Sequence, residues 1–435
     1  MNDISFERQI LGAKGELLNP SDLSIRVLWF EQRDRYLKFL ADKSLKNLKR
    51  VFNILDKANN VDSLRLDPEA EIPFAGDMFS RTMLGHNVSV GAEALLMAHG
   101  GLSLRDGAVI GQKALLITVG HPFHPSQRHL HKMGPIDVGS GVLLGSGTVV
   151  VNSGKAEAIT IGEKAIILPG TIITKDIPSY CVVGDANKIL LQGRNFFRPI
   201  ENLSAHEHLT LESRLTPEGL AHLDSQDVSA DLTRSLDLPL MSDAKIYRVK
   251  SIEPSDDLFI FFSNSSKEAL RICLIPGPVT IEGDIPVLKK RMTVNQGSYI
   301  HTDPGCTLNF SPWDLLAPRV KVISKNGGDI EFDPEVWVGA GTTVLADGRK
   351  IKIGRGSIIA AGAEITGDVP ELSIVMTGGK VIKTIGEKDI IPHLPAEWTD
   401  PAIYYEAFAE NSAVARGMSP EDRVAYILEH LPCIE

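Results

Sequence analysis

Four histidines fall within one short stretch, TVGHPFHPSQRHLHKMGP (residues 118–135): His121, His124, His129 and His131. Imidazole has an ordinary pKa of about 6.5, so it can take or give a proton near working pH, and its neutral form is a metal ligand. Cysteine chemistry has no comparable concentration. Cys181, Cys273, Cys306 and Cys433 lie far apart with no CxxC pair, which argues against a disulfide framework and a Cys-rich zinc site.

The elements around this stretch must be rigid if it is to hold a geometry. Aliphatic residues recur every six positions at Leu84, Val90, Leu96 and Leu102, and after a two-residue slip at Ile110 and Leu116. The period returns at Val138, Leu144 and Val150, then at Ile161, Ile167 and Ile173, with Gly85, Gly91, Gly111, Gly139, Gly145 and Gly162 directly behind the aliphatic residue. Six fits neither a helix nor simple strand alternation. It fits three short strands per coil of a parallel β-helix, each strand turning one aliphatic side chain inward to stack on its equivalent in the next coil. The histidine stretch is then a polar loop extruded from a solenoid, and loops on rigid scaffolds are where function concentrates.

A second period-six run follows over 330–376, with Val338, Val344, Ile353, Ile359 and Ile365 and one longer step across ADGRK. Strand-like runs precede it at DLFIFF, ALRICLI and PVTIEG. The spacing of Phe30, Leu37, Leu40, Leu48, Phe52 and Leu55 predicts helix near the N-terminus, and the tail predicts two more helices. The expected fold class is mainly β: two tandem left-handed parallel β-helix units with helical extensions. The expected parts are an N-terminal helical segment over 1–66 and a first β-helix over 67–190 carrying the loop 118–135. A linker with short helices over 191–256, a second β-helical unit over 257–385 and a helical tail over 386–435 follow.

The formal net charge of −10 gives no basic field to recruit nucleic acid. No run of about 18 apolar residues predicts a membrane span, and the charged opening MNDISFERQI has no apolar region of a signal peptide behind it. The expected compartment is the cytoplasm.

The stretch Gly120-His121-Pro122-Phe123-His124 resembles the loop of the hexapeptide-repeat acyltransferases, and within them the galactoside and maltose O-acetyltransferases. So do Pro135-Ile136-Asp137-Val138-Gly139, Val142-Leu143-Leu144-Gly145, Ile173-Thr174-Lys175-Asp176-Ile177-Pro178 and Val182-Val183-Gly184. The resemblance covers residues 6–190. It implies an O-acetyltransferase that moves an acetyl group from acetyl-CoA to a sugar or cell-envelope polysaccharide hydroxyl, with His121 as general base and Ser146 beside the developing oxyanion. It places Pro169, Gly170, Thr174, Lys175 and Lys188 along CoA, and makes His99, Asp106 and His124 the polar candidates on the acceptor side. It implies a homotrimer and no metal.

The sequence also departs from that pattern. The family tryptophan of Val-Trp-Ile-Gly is Leu143, an acceptor-binding Asn aligns with Met97, and KAEA is inserted after Gly154. The second copy carries the tryptophan, as Val336-Trp337-Val338-Gly339, and resembles the polysaccharide branch, but no Gly-His-Pro loop precedes it. Its one nearby histidine, His301, reads as a strand-end residue. The second copy reads as structural or as one wall of a shared site, and in the latter case Trp337 is a further candidate for CoA. Two other readings stand beside this one. The first resembles γ-class carbonic anhydrases, with zinc on His86, His124 and His129. The second is a non-catalytic β-helical scaffold.

Overall fold

The computed structural model describes residues 17–52, 60–66, 82–199, 211–224, 273–274, 280–284 and 292–430, apart from isolated positions and pairs within those ranges. The expected strand at DLFIFF, most of ALRICLI, the first sixteen residues and Cys433 lie outside them. The chain divides into two compact units, one of residues 1–121, 128–238 and 393–435, the other of 122–127 and 239–392.

In the first unit, parallel strands stack into a three-faced β-helix. The first face holds Thr82–Leu84, Leu102–Leu104, Ile136–Val138 and Ile159–Ile161. The second holds Ser89–Val90, Val109–Ile110, Leu143–Leu144, Ile166–Ile167 and Cys181–Gly184, and the third Leu95–Met97, Leu115–Ile117, Val149–Val151 and Ile172–Ile173. The inward aliphatics register coil on coil: Leu84, Leu104, Val138 and Ile161 on one face, Val90, Ile110, Leu144 and Ile167 on the next, Leu96, Leu116, Val150 and Ile173 on the last. All of them sit in one continuous core. One detail differs from the period. Leu104, not Leu102, stacks on Leu84, because Gly100-Gly101 lengthens that corner and the whole strand Leu102–Leu104 is buried.

The β-helix carries two helical attachments. The N-terminal helix Leu23–Ala41 packs with Pro401–Gly417 and Pro420–His430 through Val27, Leu28, Phe30, Ala415 and Ile427, and its Phe39 joins the β-helix core beside Val61 and Leu84. The short helices Leu211–Arg214 and Pro217–Asp224 cover the outer side of the second face. Leu223 of the second and Leu215 between the two pack with Val109, Leu143, Ile166 and Val182.

The second unit is a β-helix of the same kind, with sheets of seven, five and three strands. Its coils are present from Cys273–Leu274 and Thr280–Gly283, which pair with Met292–Val294 and Tyr299–Thr302 well before the period-six run is legible. The reason is coil length: the strands Tyr299–Thr302 and Lys321–Lys325 are longer than two or three residues, which stretches the inward step from Ile300 to Phe310 and from Val322 to Phe332 to ten, while Phe310, Leu316 and Val322 stay six apart. The wider interior is filled by Phe310 and Phe332, stacked at 4.9 Å.

Candidate functional site

The histidine loop leaves the first β-helix at the edge between its third and first faces. It opens with Val119–Gly120 and returns with His131–Met133, antiparallel to it, with Lys132 opposite Gly120 and Met133 opposite Val119. Leu17–Leu18 adds a third strand, with Leu18 opposite His131. Continued by one residue, the hairpin register sets His131 opposite His121. Two glycines let this small sheet lie flat against the coil below. A Cβ on Gly120 would come 2.5 Å from the Ser153 carbonyl oxygen, and one on Gly134 would come 2.3 Å from Asn152 Oδ1.

His121 is fixed through one ring nitrogen. Its Nδ1 lies 2.7 Å from the Arg128 carbonyl oxygen and 2.8 Å from that of Leu130. Two carbonyl acceptors on one nitrogen require that nitrogen to carry the proton, so the neutral ring holds its lone pair on Nε2. Burial lowers the His121 pKa well below the ordinary value, and the neighbouring His131 lowers it further, against the pull of the two carbonyls. The ring is therefore neutral near pH 7 and able to accept a proton.

His131 and His99 complete a cluster. The His131 ring meets His121 edge-on at 4.9 Å, and His99 meets His131 edge-on at 5.7 Å. Burial, the other imidazoles and the Arg26 guanidinium push the His131 pKa down to about 3. Arg26 comes from the N-terminal helix, is itself buried, and lies 4.7 Å over the Trp29 ring and 4.3 Å over Phe408. The sequence reading gave His131 and Arg26 no role. The signal that finds His131 is the hairpin register, which sets it opposite His121.

The other expected site residues distribute over the edges of the prism. His99, Thr174 and Lys175 share the His121 edge; His99 is 4% exposed, and Thr174 and Lys175 are exposed. Ser146, Pro169 and Gly170 stack on the edge between the second and third faces, where the Gly170 N–H donates to the Ser146 carbonyl at 2.9 Å. Asp106 lies on the remaining edge, where it accepts the His86 N–H at 2.6 Å, so it closes a corner and does not join the histidine cluster. Lys188 is exposed at the start of the closing strand Lys188–Gln192. His124 bonds Ser126 at 2.8 Å within the loop tip. Trp337 stands on the second β-helix, in register with Leu315 and Ile358.

The zinc reading finds little support in this geometry. His86 is on a different edge from the loop, and the His129 Nε2–H is given to the Trp398 carbonyl at 2.6 Å. Among the described residues no three His, Cys, Asp or Glu side chains converge as a metal would need.

No family model matches the chain. A 122-residue stretch is 36% identical to a protein of Staphylococcus aureus named "putative acetyltransferase", covering 27% of this chain and 59% of that one. A 79-residue stretch is 38% identical to the galactoside O-acetyltransferase of Escherichia coli, covering 18% of this chain and 36% of the relative. The chain thus spans about three-fifths or less of the length of these relatives. A solved hexapeptide-repeat acetyltransferase of Vibrio cholerae, complexed with acetyl-CoA, aligns over 44% of this chain and 98% of its own at 17% identity and a TM-score of 0.33. The chain is similar to hexapeptide-repeat acyltransferases, the resemblance that its repeats and its histidine loop carry.

Proposed function

We propose that the chain is an acetyl-CoA-dependent O-acetyltransferase of the cytoplasm, acting on a sugar or cell-envelope polysaccharide hydroxyl, with His121 as general base. The observation that carries this reading is the locked imidazole. His121 Nδ1–H is held by two carbonyls, so Nε2 takes the proton of the acceptor hydroxyl as its oxygen attacks the thioester carbon. The carbonyl electrons move onto oxygen, and a donor near Ser146 stabilises that oxyanion. Collapse breaks the C–S bond, and the imidazolium returns its proton to the leaving CoA sulfur. His99 and His131 line the acceptor side, with Pro169, Gly170, Thr174, Lys175 and Lys188 along CoA.

His121 and Ser146 lie on different edges of one prism, a full face apart, on the order of 10 Å at about 3.3 Å per residue. One acetyl group that meets both therefore requires two copies, and closed symmetry gives equivalent sites. A homotrimer is expected, and a monomer by light scattering at micromolar concentration contradicts this part of the reading. Activity is tested by CoA thiol release from acetyl-CoA over a panel of free and polymeric sugars. Absence of both transfer and acetyl-CoA binding overturns the proposal, and stoichiometric zinc by elemental analysis favours the metalloenzyme instead.

A further inference from the structure

We infer that the acceptor hydroxyl is borne by an acidic sugar, whose carboxylate is met by the His131 ring with the Arg26 charge behind it. This rests on the reading of the chain as an O-acetyltransferase with His121 as base, and it names the class of acceptor that this site takes.

Arg26, His99, His121, His129 and His131 all lie in the first compact unit. His131 stands beside the base, edge-on with ring centres 4.9 Å apart. The ionisable groups that act on it are His99 from the corner after Leu95–Met97, Arg26 from the N-terminal helix and His129 from its own arm of the hairpin. Each of these is neutral or positive, and no acid acts on His131 among the described residues. The Arg26 guanidinium is flanked by Trp29 at 4.7 Å and Phe408 at 4.3 Å, and the residue is 7% exposed. Aromatic flanks leave that charge little water, and a poorly hydrated cation attracts an anion more strongly than one at the surface.

His131 supplies the donor. With its pKa pushed down to about 3 the ring is neutral near pH 7 and carries one N–H. Its Nδ1 is sealed from solvent and bonds no described residue. A buried N–H without an acceptor is rarer and costlier than a buried lone pair, so the proton sits on Nε2, which is left to donate to a ligand. A carboxylate oxygen there makes a charge-assisted bond and gains the attraction of Arg26 as well. A hydroxyl of a neutral sugar gains only an ordinary hydrogen bond. In a hexuronic acid the carboxylate is borne on the ring carbon adjacent to one that bears a hydroxyl, so the two groups reach neighbouring rings such as His131 and His121. The reacting end of acetyl-CoA is an uncharged thioester, with its phosphates at the far end of the pantetheine arm, so the cosubstrate gives Arg26 no anion beside His121.

The test uses the full chain with methyl galacturonide, methyl galactoside and galactose 6-phosphate as probes. Binding is read by calorimetry without acetyl-CoA, and transfer by thiol release. The wild-type chain is expected to bind the uronide about tenfold or more tightly than the galactoside, with kcat/KM in the same order. Arg26→Met is expected to remove most of that preference while the affinities for galactoside and acetyl-CoA stay within about twofold, and Arg26→Lys to keep part of it. His131→Phe keeps a ring and loses the donor, and is expected to weaken the uronide about fivefold with acetyl-CoA unmoved. It decides the contribution of the cluster alone if the Arg26 variants do not fold. Equal wild-type affinity for uronide and galactoside overturns the inference, as does a loss of acetyl-CoA affinity in Arg26→Met as large as the loss of uronide affinity. Tighter binding of the 6-phosphate than of the uronide assigns the charge to a phosphate and overturns the carboxylate. A uronide preference with neither acetyl transfer nor acetyl-CoA binding leaves the acidic-sugar site standing and overturns the transferase reading instead.

Discussion

The two β-helices close their last coils in the same way, bond for bond. In the first, Asp176 accepts the Thr160 N–H at 2.8 Å, Ile177 bridges to Ile161, and Tyr180 N–H donates to the Glu163 carbonyl. In the second, Asp368 accepts the Lys352 N–H at 2.8 Å, Val369 bridges to Ile353, and Leu372 N–H donates to the Arg355 carbonyl. Each then turns into an antiparallel strand with a bulge at the matching position. The Asp-Ile-Pro and Asp-Val-Pro corners are thus part of the scaffold, whichever copy they occur in. The histidines differ. His121 gives one nitrogen to two carbonyls, whereas both ring nitrogens of His301 face carboxylates, Nε2 at 2.8 Å from Asp303 and Nδ1 at 3.4 Å from Glu282. His301 is thus bonded by a carboxylate and not fixed on one nitrogen by a pair of carbonyls, and no described histidine of the second copy has the setting of His121.

The largest consequence of that difference is kinetic. His121→Ala is expected to lower kcat by about 10²–10⁴, while His301→Ala changes it less than about twofold; thiol-release kinetics on both variants checks the contrast. A smaller effect concerns acid. His131 has a folded pKa of about 3 against an ordinary 6.5, so the unfolded chain binds the extra proton. Stability of the first unit is full above about 6.5 and declines as pH falls toward 3. Buried Asp314 behaves in the opposite sense. Burial pushes its pKa up to about 8 against the pull of two backbone N–H donors, so the folded state holds the proton. That contribution is full below about 3.8 and is lost as pH rises through 8. Calorimetry at pH 7.5 and 5.5 should show the two transitions moving in opposite directions, and Asp314→Asn should remove the shift from the second.

Asp176→Ala and Asp368→Ala should each cost about 1–2 kcal/mol, alike within about 0.5, since each removes a charge-assisted acceptor from the same N–H. Urea unfolding of the two variants measures it, and a large inequality would mean the corners are not equivalent. The smallest effect is expected at Trp337. Trp337→Ala separates two views: a loss of about 1 kcal/mol in acetyl-CoA affinity, the contribution of a stacked aromatic, would add Trp337 to the CoA residues. An unchanged affinity by calorimetry would assign Trp337 only to the outer face of its own sheet.

The period of six made the first β-helix legible because every coil there keeps its inward residues six apart. In the second the same six holds within each coil, but the steps of ten after Ile300 and Val322, and phenylalanine in place of an aliphatic residue at 310 and 332, hide the pattern upstream of Val338. His121 was found because Gly-His-Pro is a contiguous motif. His131 requires a hairpin register, Arg26 a helix packed from outside the repeats, and the bond of His129 to Trp398 a partner in a remote part of the chain. None of these relations is local in sequence. Asp106 was misleading for the opposite reason: a polar side chain at a coil corner is most simply a bond to the next corner, as His86 shows.

In the first β-helix every change of coil length falls on one edge. From Leu96 to Leu104 the step across it is eight residues, from Leu116 to Val138 it is 22 and from Val150 to Ile161 it is 11, while every step across the other two edges is six. The histidine loop, the Gly-Gly corner and the KAEA insertion all fall on that edge. The ladders on either side remain in register whatever is spliced between them. New chain termini placed between Ser153 and Ile159 would therefore leave every rung of the solenoid intact, and a permuted chain opened there should fold with the same coils while the other two edges tolerate no such cut.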